Sequence, residues 1–300
     1  MDKPAGRRGP GLLRLAARAC LPALTVDVDR HRADRRILTG AGLSASIAVL
    51  GVGDAAARGH VSALVAHALA AYQGSRVLAF DADTRSGALR SRLTESTQDS
   101  LNPVLAGLGV RQRGPRPDQP PTHRWARSRL TPGSEIALIA ADPASPGPEL
   151  GGGEYGFALP SLRRWWPLIV TDLPAPSAGG ATERGVVDAD RVVLVADQDS
   201  ADPAMLRQAW QWLSGLLGAQ RAAERVLVAE PARGNRAKPH HRGLVGDNVE
   251  IVPVPGMPAS APSGPVLTSA TEPSVAAAQH VAARCLAPVA DAAAVAGSDA

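Results

Sequence analysis

Residues 46–87 read SIAVLGVGDAAARGHVSALVAHALAAYQGSRVLAFDADTRSG, and this stretch decides the fold. Two short apolar runs, Ile47–Leu50 and Val77–Phe80, have the composition of buried strands. Between them, Ser62–Tyr72 places apolar residues at helical spacing and stops before Gly74. A strand, a crossover helix and a second strand of this length predict a right-handed βαβ unit in a parallel sheet.

The carboxyl ends of these two predicted strands are followed by residues that can do chemistry. The first strand leads into the loop 51–60, and the second ends in Asp81 and Asp83. Ligands of parallel sheets bind outside the carboxyl ends of the strands. The loop and the two carboxylates are therefore the candidate site.

The rest of the chain supplies further strands and helices. The predicted strands are Ser134–Ala140, Pro167–Pro174, Arg191–Ala196, Arg225–Ala229 and Glu250–Pro255. The predicted helices are Ala88–Leu93, Leu101–Leu108, Leu159–Trp166, Ala204–Leu217 and Ser274–Pro288. This order predicts a doubly wound α/β domain over residues 36–288, with a mostly parallel sheet of about seven strands. We expect a flexible basic segment at 1–35 before it and a disordered tail at 289–300 after it.

This arrangement resembles the MinD/ParA family of P-loop ATPases, in particular the MinD-like proteins of high-GC Gram-positive bacteria. Ile47–Val49 is similar to the family's first strand, Ala66–Ala70 to its helix and Asp81–Asp83 to its acidic turn. The resemblance covers roughly residues 36–288. It implies a P-loop NTPase fold, ATP and Mg²⁺ as cofactors, ATP hydrolysis as the activity, and work in chromosome partitioning, positioning or secretion.

The phosphate-binding loop departs from the family motif KGGVGKTT. Aligned without gaps, Gly53 falls at the first lysine and Asp54–Ala57 at the GGVG run. Arg58 falls at the second lysine, and Gly59 and His60 fall at the two threonines. A P-loop needs glycines to wrap a phosphate, a lysine on the β/γ-phosphates and a hydroxyl on Mg²⁺. The sequence therefore predicts a degenerate nucleotide site and no ATP hydrolysis.

The altered loop and the basic stretch leave three possible functions for this chain. The leading one is a pseudo-ATPase that acts as a protein-interaction or regulatory module, with a protein partner or as a homodimer. The second is an active ATPase with an altered loop, in which Arg58, Asp83 and Asp172 serve the phosphates and Mg²⁺. Asp172 ends a predicted strand and resembles a Walker B aspartate. The third is binding to DNA or an anionic membrane surface through the basic stretch 111–129, which we expect to be a solvated loop.

The electrostatics of the loop lead to a more specific expectation. In the ungapped alignment Arg58 begins the helix, and Asp54 precedes it by four residues. A helix N-terminus attracts anions. We expect Asp54, Asp81 or Asp83 to occupy the phosphate position and one of these carboxylates to pair with Arg58.

Composition excludes several other classes. A net charge of +4 over 300 residues is mild, so the basic pI does not by itself indicate a nucleic-acid-binding protein. Cys20 and Cys285 are far apart, and the adjacent His240 and His241 have no partner at metal-ligand spacing. No run approaches the ~20 apolar residues of a membrane span. We expect a cytoplasmic protein, or one peripheral at the membrane.

Overall fold

The structure, a computed structural model, describes residues 28, 30–40, 42–93, 125–127, 135–140, 149–177, 179–233, 239–257, 265–266 and 270–298. Its centre is one eight-stranded sheet in the order β3-β4-β2-β5-β1-β6-β7-β8. The strands are β1 (Ala45–Val52), β2 (Val77–Asp81), β3 (Trp125–Arg127), β4 (Glu135–Ile139), β5 (Leu168–Asp172), β6 (Arg191–Ala196), β7 (Val226–Arg233) and β8 (Glu250–Met257). Seven strands are parallel, and β3 pairs antiparallel with β4 at one edge.

Helices cover both faces of this sheet. In the described part of the chain they are α1 (30–38), α2 (Ala55–Gln73), α3 (Ala88–Leu93), α4 (Gly152–Arg163), α5 (Gly180–Asp188), α6 (Pro203–Leu217), α7 (Ala219–Arg225) and α8 (Glu272–Ser298). None of these helices combines the length and the apolar character that crossing a membrane requires.

The core lies in two layers, one on each face of the sheet. Leu78 and Phe80 of β2 pack into the layer formed with α4, α5, α6 and α7. Val77 and Ala79 of the same strand pack into the layer formed with α1, α2, α3 and α8. Successive side chains of a strand point to opposite faces. The predicted doubly wound α/β fold is confirmed by this arrangement.

The central strand β1 shows why the predicted strands are continuous apolar runs. All eight of its residues are buried, because β5 and β6 pair with it on either side and helices cover both faces. Parallel strands in this position have no solvent-facing side. The carboxyl end of β1 therefore opens directly onto the candidate site.

Helices extend beyond both predicted ends of the domain. The segment expected to be flexible up to residue 35 contains most of α1, because Asp34 and Leu38 are buried against the domain. The tail expected to be disordered from residue 289 continues α8 as far as Ser298. Val289 and Ala290 pack against the core, and this apolar contact carries the helix past Pro288.

The basic stretch 111–129 is described only at Trp125–Arg127. These three residues form β3, so the prediction of a loop is wrong for this part. The pairing with β4 supplies backbone hydrogen bonds that side-chain composition does not predict. The remainder of the stretch, the predicted helix Leu101–Leu108 and residues 1–27 lie outside the described residues.

Candidate functional site

The connection between β1 and α2 consists of Gly53 and Asp54 alone. The helix begins at Ala55, so the expectation that it begins at Arg58 is wrong. Asp54 is the N-cap, and its Oδ1 accepts a 2.9 Å hydrogen bond from the backbone N–H of Ala56. Three alanines follow, and alanine is the best helix former. The residues aligned with the glycine run are therefore a capped helical turn.

Gly53 makes the sharp turn into this helix possible. Its φ is +94°, a conformation that side chains other than glycine rarely adopt. A Cβ atom on Gly53 would lie 2.9 Å from the hydroxyl oxygen of Ser200, in the loop after β6. The short connection is thus packed against a neighbouring loop.

Arg58 lies on the next turn of α2 and points into the protein. Its side chain is buried, and Nε lies 3.1 Å from each carboxylate oxygen of Asp172 at the end of β5. Its Nη2 donates to Oδ2 of Asp83 at 2.6 Å and to the hydroxyl of Ser86 at 3.2 Å. Of the three carboxylates expected as possible partners of Arg58 (Asp54, Asp81 and Asp83), Asp83 is the one that pairs with it, whereas its pairing with Asp172 was not predicted.

Ser62 completes this arrangement, which we call the Arg58 cluster: Arg58, Ser62, Asp81, Asp83, Ser86 and Asp172. Ser62 is one helical turn after Arg58, and its hydroxyl donates to Oδ1 of Asp172 at 2.6 Å. The cluster joins α2 to the ends of β2 and β5. It is held by charge-assisted hydrogen bonds, which are stronger than neutral ones.

The charges of the cluster shift each other's pKa. Burial alone would lower the pKa of Arg58, but Asp172 and Asp83 outweigh it and raise the pKa above its ordinary value. Burial alone would raise the pKa of Asp83, but the charge and hydrogen bond of Arg58 hold it below its usual range. Arg58 and Asp83 are therefore a charged pair at neutral pH.

Asp81 is the carboxyl of the cluster to which no cationic side chain of the described residues donates a hydrogen bond. It lies opposite Asp172 in the register of β2 and β5, and it is fully buried. Within the described residues neither of its oxygens makes a hydrogen bond of normal geometry, although the backbone N–H of Arg90 favours its charged form. Burial, and then the charge of Asp172, raise the pKa of Asp81 well above its usual range. Burial likewise raises the pKa of Asp172, against the effect of Arg58.

The solved structures of similar fold include the following three. A ParA family ATPase from Chlorobium tepidum TLS superposes with a TM-score of 0.59 at 16% identity, covering 80% of this chain and 98% of that one. A chain of the MinC:MinD cell division protein complex from Aquifex aeolicus gives 0.53 at 17% identity, covering 81% and 96%. The MinD cell division protein from the same organism gives 0.52 at 17% identity, also covering 81% and 96%. The chain has the α/β fold of the ParA and MinD ATPases. No family profile and no curated protein matches the sequence.

In this ParA/MinD-type fold, Gly59 occupies the position aligned with the first threonine of the loop motif. A Cβ atom there would lie 2.6 Å from the carbonyl carbon of Ala88 and 2.7 Å from its oxygen. The close approach of α3 to α2 therefore requires a residue without a side chain. A threonine hydroxyl does not fit at this position unless α3 moves.

His60, at the position of the second threonine, likewise offers no hydroxyl to Mg²⁺. It is completely buried, and within the described residues neither ring nitrogen has a hydrogen-bond partner. Burial, and then the charge of Arg92, lower its pKa to about 4. His60 is thus a neutral core residue at physiological pH.

Asp83 and Asp172, which the sequence suggested as Mg²⁺ ligands, are already hydrogen-bonded to other side chains of the protein. Asp83 and Asp172 both accept hydrogen bonds from Arg58, and Asp172 also accepts one from Ser62. In the described part of the chain no three His, Cys, Asp or Glu side chains are grouped to hold a metal. The residues present fit an internal ion cluster better than a Mg²⁺ site.

Glu230 of β7 forms a second buried polar centre at the same edge of the sheet. Its carboxylate accepts hydrogen bonds from the backbone N–H groups of His240 and His241, from the ring of His241, and from the side chain of Gln198. The carboxylate therefore ties together the loops that follow β6 and β7. His240 and His241 both take part in this contact.

The ungapped alignment singles out Arg58, Asp83 and Asp172 but not Ser62 and Ser86. Ser62 follows Arg58 by four residues, so helical spacing already placed the two side chains on one face. Ser86 follows Asp83 in a turn, where a hydroxyl often bonds nearby groups. Neither serine belongs to a nucleotide-binding motif in the ungapped alignment, and Ser62 falls on a threonine of the motif only in a shifted alignment that needs an insertion and a deletion.

Proposed function

We propose that this chain is a ParA/MinD-type protein that works without nucleotide, as a protein-interaction or regulatory module. The observation that carries the proposal is the start of α2 at Ala55. A phosphate-binding loop wraps its ligand with free backbone N–H groups. Here the chain enters the helix two residues after β1, and Asp54 takes the N–H of Ala56. The backbone that would cradle a phosphate is used to build the helix.

Electrostatics supports the same proposal. A triphosphate at this helix end would meet the carboxylate of Asp54, and it would need a cation. Arg58 is committed to Asp83 and Asp172, both of which lie inside the protein. Withdrawing one partner from a buried ion pair leaves an uncompensated charge, at a cost of about 3–5 kcal/mol. The free energy of nucleotide binding would therefore have to offset the cost of breaking the ion pairs of the Arg58 cluster.

The proposed mode of action is contact with a protein partner, either a different protein or a second copy of this chain. One structure of similar fold is the MinC:MinD complex, in which a protein of this fold is bound to a protein partner. In our proposal the cluster stabilises a single conformation of the carboxyl edge of the sheet. A partner would then recognise a permanent surface and not one that appears only with nucleotide.

Nucleotide binding tests the first half of this proposal. We expect the melting temperature of the unmodified protein to be unchanged by millimolar Mg-ATP or Mg-ADP, and phosphate release to match buffer. A ligand at 100 times its Kd stabilises a protein by about 2.7 kcal/mol, so even weak binding is visible. Asp172→Ala is the control for hydrolysis, because release that persists in it comes from a contaminant. Micromolar Mg-ATP binding, or release that Asp172→Ala abolishes, would promote the active ATPase instead.

Partner capture tests the second half. The full chain, immobilised through a tag, should retain the same partner with Mg-ATP present and after enzymatic removal of all nucleotides. The control variant is Asp188→Asn. It removes the Arg184–Asp188 ion pair on the surface of α5 and leaves the charges of the Arg58 cluster unchanged. Capture that requires ATP would contradict the proposal.

A further inference from the structure

Helix α1 places few fully buried side chains on the domain. Among residues 30–40 the buried ones are Asp34 and Leu38, which lie one helical turn apart. The other residues of this segment are exposed or partly exposed. An isolated helix shorter than about 12–15 residues is marginal in water. Leu38 is the buried apolar anchor of α1, with Ile37 packed beside it, and Asp34 is the buried charged anchor. Arg35 also lies over the ring of Tyr72, and the side chain of Gln73 donates to the carbonyl oxygens of Leu38 and Gly40.

The charged anchor is bound by His280 of α8. The Nδ1 atom of His280 lies 3.1 and 3.0 Å from the two carboxylate oxygens of Asp34. Its Nε2 atom lies 3.3 Å from Oε1 of Glu250 on β8. Arg284, one turn further along α8, donates from Nε to Oε2 of Glu250 at 2.5 Å. One imidazole thus connects α1, α8 and the edge strand β8.

This geometry requires a charged imidazole. A neutral histidine has one N–H, so one of its nitrogens would present a lone pair to a carboxylate. Only the imidazolium donates to Asp34 and Glu250 at once. In agreement, the hydrogen bonds to Asp34 and then to Glu250 raise the pKa of His280 to about 9. Arg284, and Arg191 near Glu250, are the other charged groups at this junction.

We infer that His280 is a proton-dependent clasp: its positive charge docks α1 on the domain, and loss of this charge releases α1. If His280 lost its proton, the carboxylate of Asp34 would no longer have a cation beside it and could face a lone pair of the imidazole. The free energy of leaving a buried carboxylate unpaired opposes docking. Leu38 would then be the remaining buried anchor of a helix that is too short to persist alone.

The direction of the pH dependence follows from the raised pKa. The clasp contributes fully below the unfolded-state pKa of histidine, about 6.5. Its contribution declines as the pH rises and is lost above about 9, where the folded-state imidazole gives up its proton. Docking of α1 should therefore weaken between pH 6.5 and pH 9, while the rest of the domain stays folded.

Trypsin cleavage after Arg35 and Arg36 of α1 measures this release in the full-length protein. Cleavage inside a helix follows the population of its open form when reclosing is fast. At pH 7, His280→Ala and Asp34→Asn should each be cut on the order of tenfold faster than the unmodified chain. At pH 9.5 the unmodified chain should match them. Asp188→Asn, in which a surface ion pair is lost, is the matched control and should stay protected.

A second measurement does not depend on any variant folding. In the ¹⁵N NMR spectrum of the unmodified protein, both ring nitrogens of His280 should carry protons at pH 7 and titrate near pH 9. Equal cleavage of His280→Ala and the unmodified chain at pH 7 would overturn the inference. A His280 ring that titrates near pH 6.5 would do the same.

Discussion

At the scale of single residues, the guanidinium of Arg58 decides what this site can do. Its N–H donors lie in one plane: Nε donates to the carboxylate of Asp172, and Nη2 donates to the carboxylate of Asp83. A lysine, the usual residue of a phosphate-binding loop, is a point charge on a flexible stem and is not equivalent. The arginine therefore suits a fixed internal pair of carboxylates.

We predict that Arg58→Met destabilises the protein by about 3–5 kcal/mol, because it leaves Asp83 and Asp172 buried without a cation. Arg58→Lys, which keeps the charge and loses the planar set of donors, should cost less. Adding Asp83→Asn and Asp172→Asn to Arg58→Met should recover part of the loss. Urea unfolding at neutral pH measures all four proteins. Equal stability of Arg58→Met and the unmodified chain would mean that the cluster contributes nothing.

At the scale of elements, the contact between α2 and α3 is set by a glycine. Gly59 allows the backbone of Ala88 to approach to a distance at which no Cβ atom fits. Helix α3 follows the turn that carries Asp83 and Ser86, so its position also determines where those two side chains reach Arg58. Close packing of the helices and geometry of the cluster are therefore linked.

Gly59→Ala should destabilise the protein by about 1–3 kcal/mol, since its Cβ atom forces α2 and α3 apart. The matched control is Gly215→Ala in α6, where a Cβ atom meets nothing within 4 Å. That variant should be neutral or stabilise by about 0.5–1 kcal/mol, because alanine is the better helix former. Thermal unfolding of the two variants distinguishes the effects. A stabilising Gly59→Ala would show that α3 is loosely packed.

At the scale of the whole molecule, the two core layers share one sheet. Leu69 of α2 lies in one layer, and Leu159 of α4 lies in the other. Each strand contributes alternate side chains to both layers. Loss of packing on one face should therefore destabilise the whole sheet.

We predict that Leu69→Ala and Leu159→Ala each cost about 2–5 kcal/mol and shift one common urea transition. Circular dichroism and tryptophan fluorescence should report the same midpoint in each variant. Met205→Ala, at a side chain that is half exposed, is the control and should change stability by less than about 0.5 kcal/mol. Two separate transitions would show that the layers unfold independently.

Much of the fold could be predicted because each element carries its own local signal. The seven parallel strands read as continuous apolar runs, and α6 reads as an amphipathic helix. The eighth strand, β3, has no such signal, since its three residues are held by pairing with β4. Helix α1 was missed for a similar reason, because its anchor Asp34 depends on a partner 246 positions away.

From the sequence alone follow the order of the seven parallel strands and of helices α2, α3, α4, α6 and α8, and the departure of residues 53–60 from a phosphate-binding loop. These follow from side-chain periodicity and residue type, which are properties of the local chain. Only the tertiary structure decided that α2 begins at Ala55 and that Arg58 pairs with Asp172, 114 positions away. An alanine-rich turn becomes helical when a capping residue and packing against a neighbouring element stabilise it. A buried charged side chain pairs with an opposite charge that the fold of the sheet places within hydrogen-bond distance.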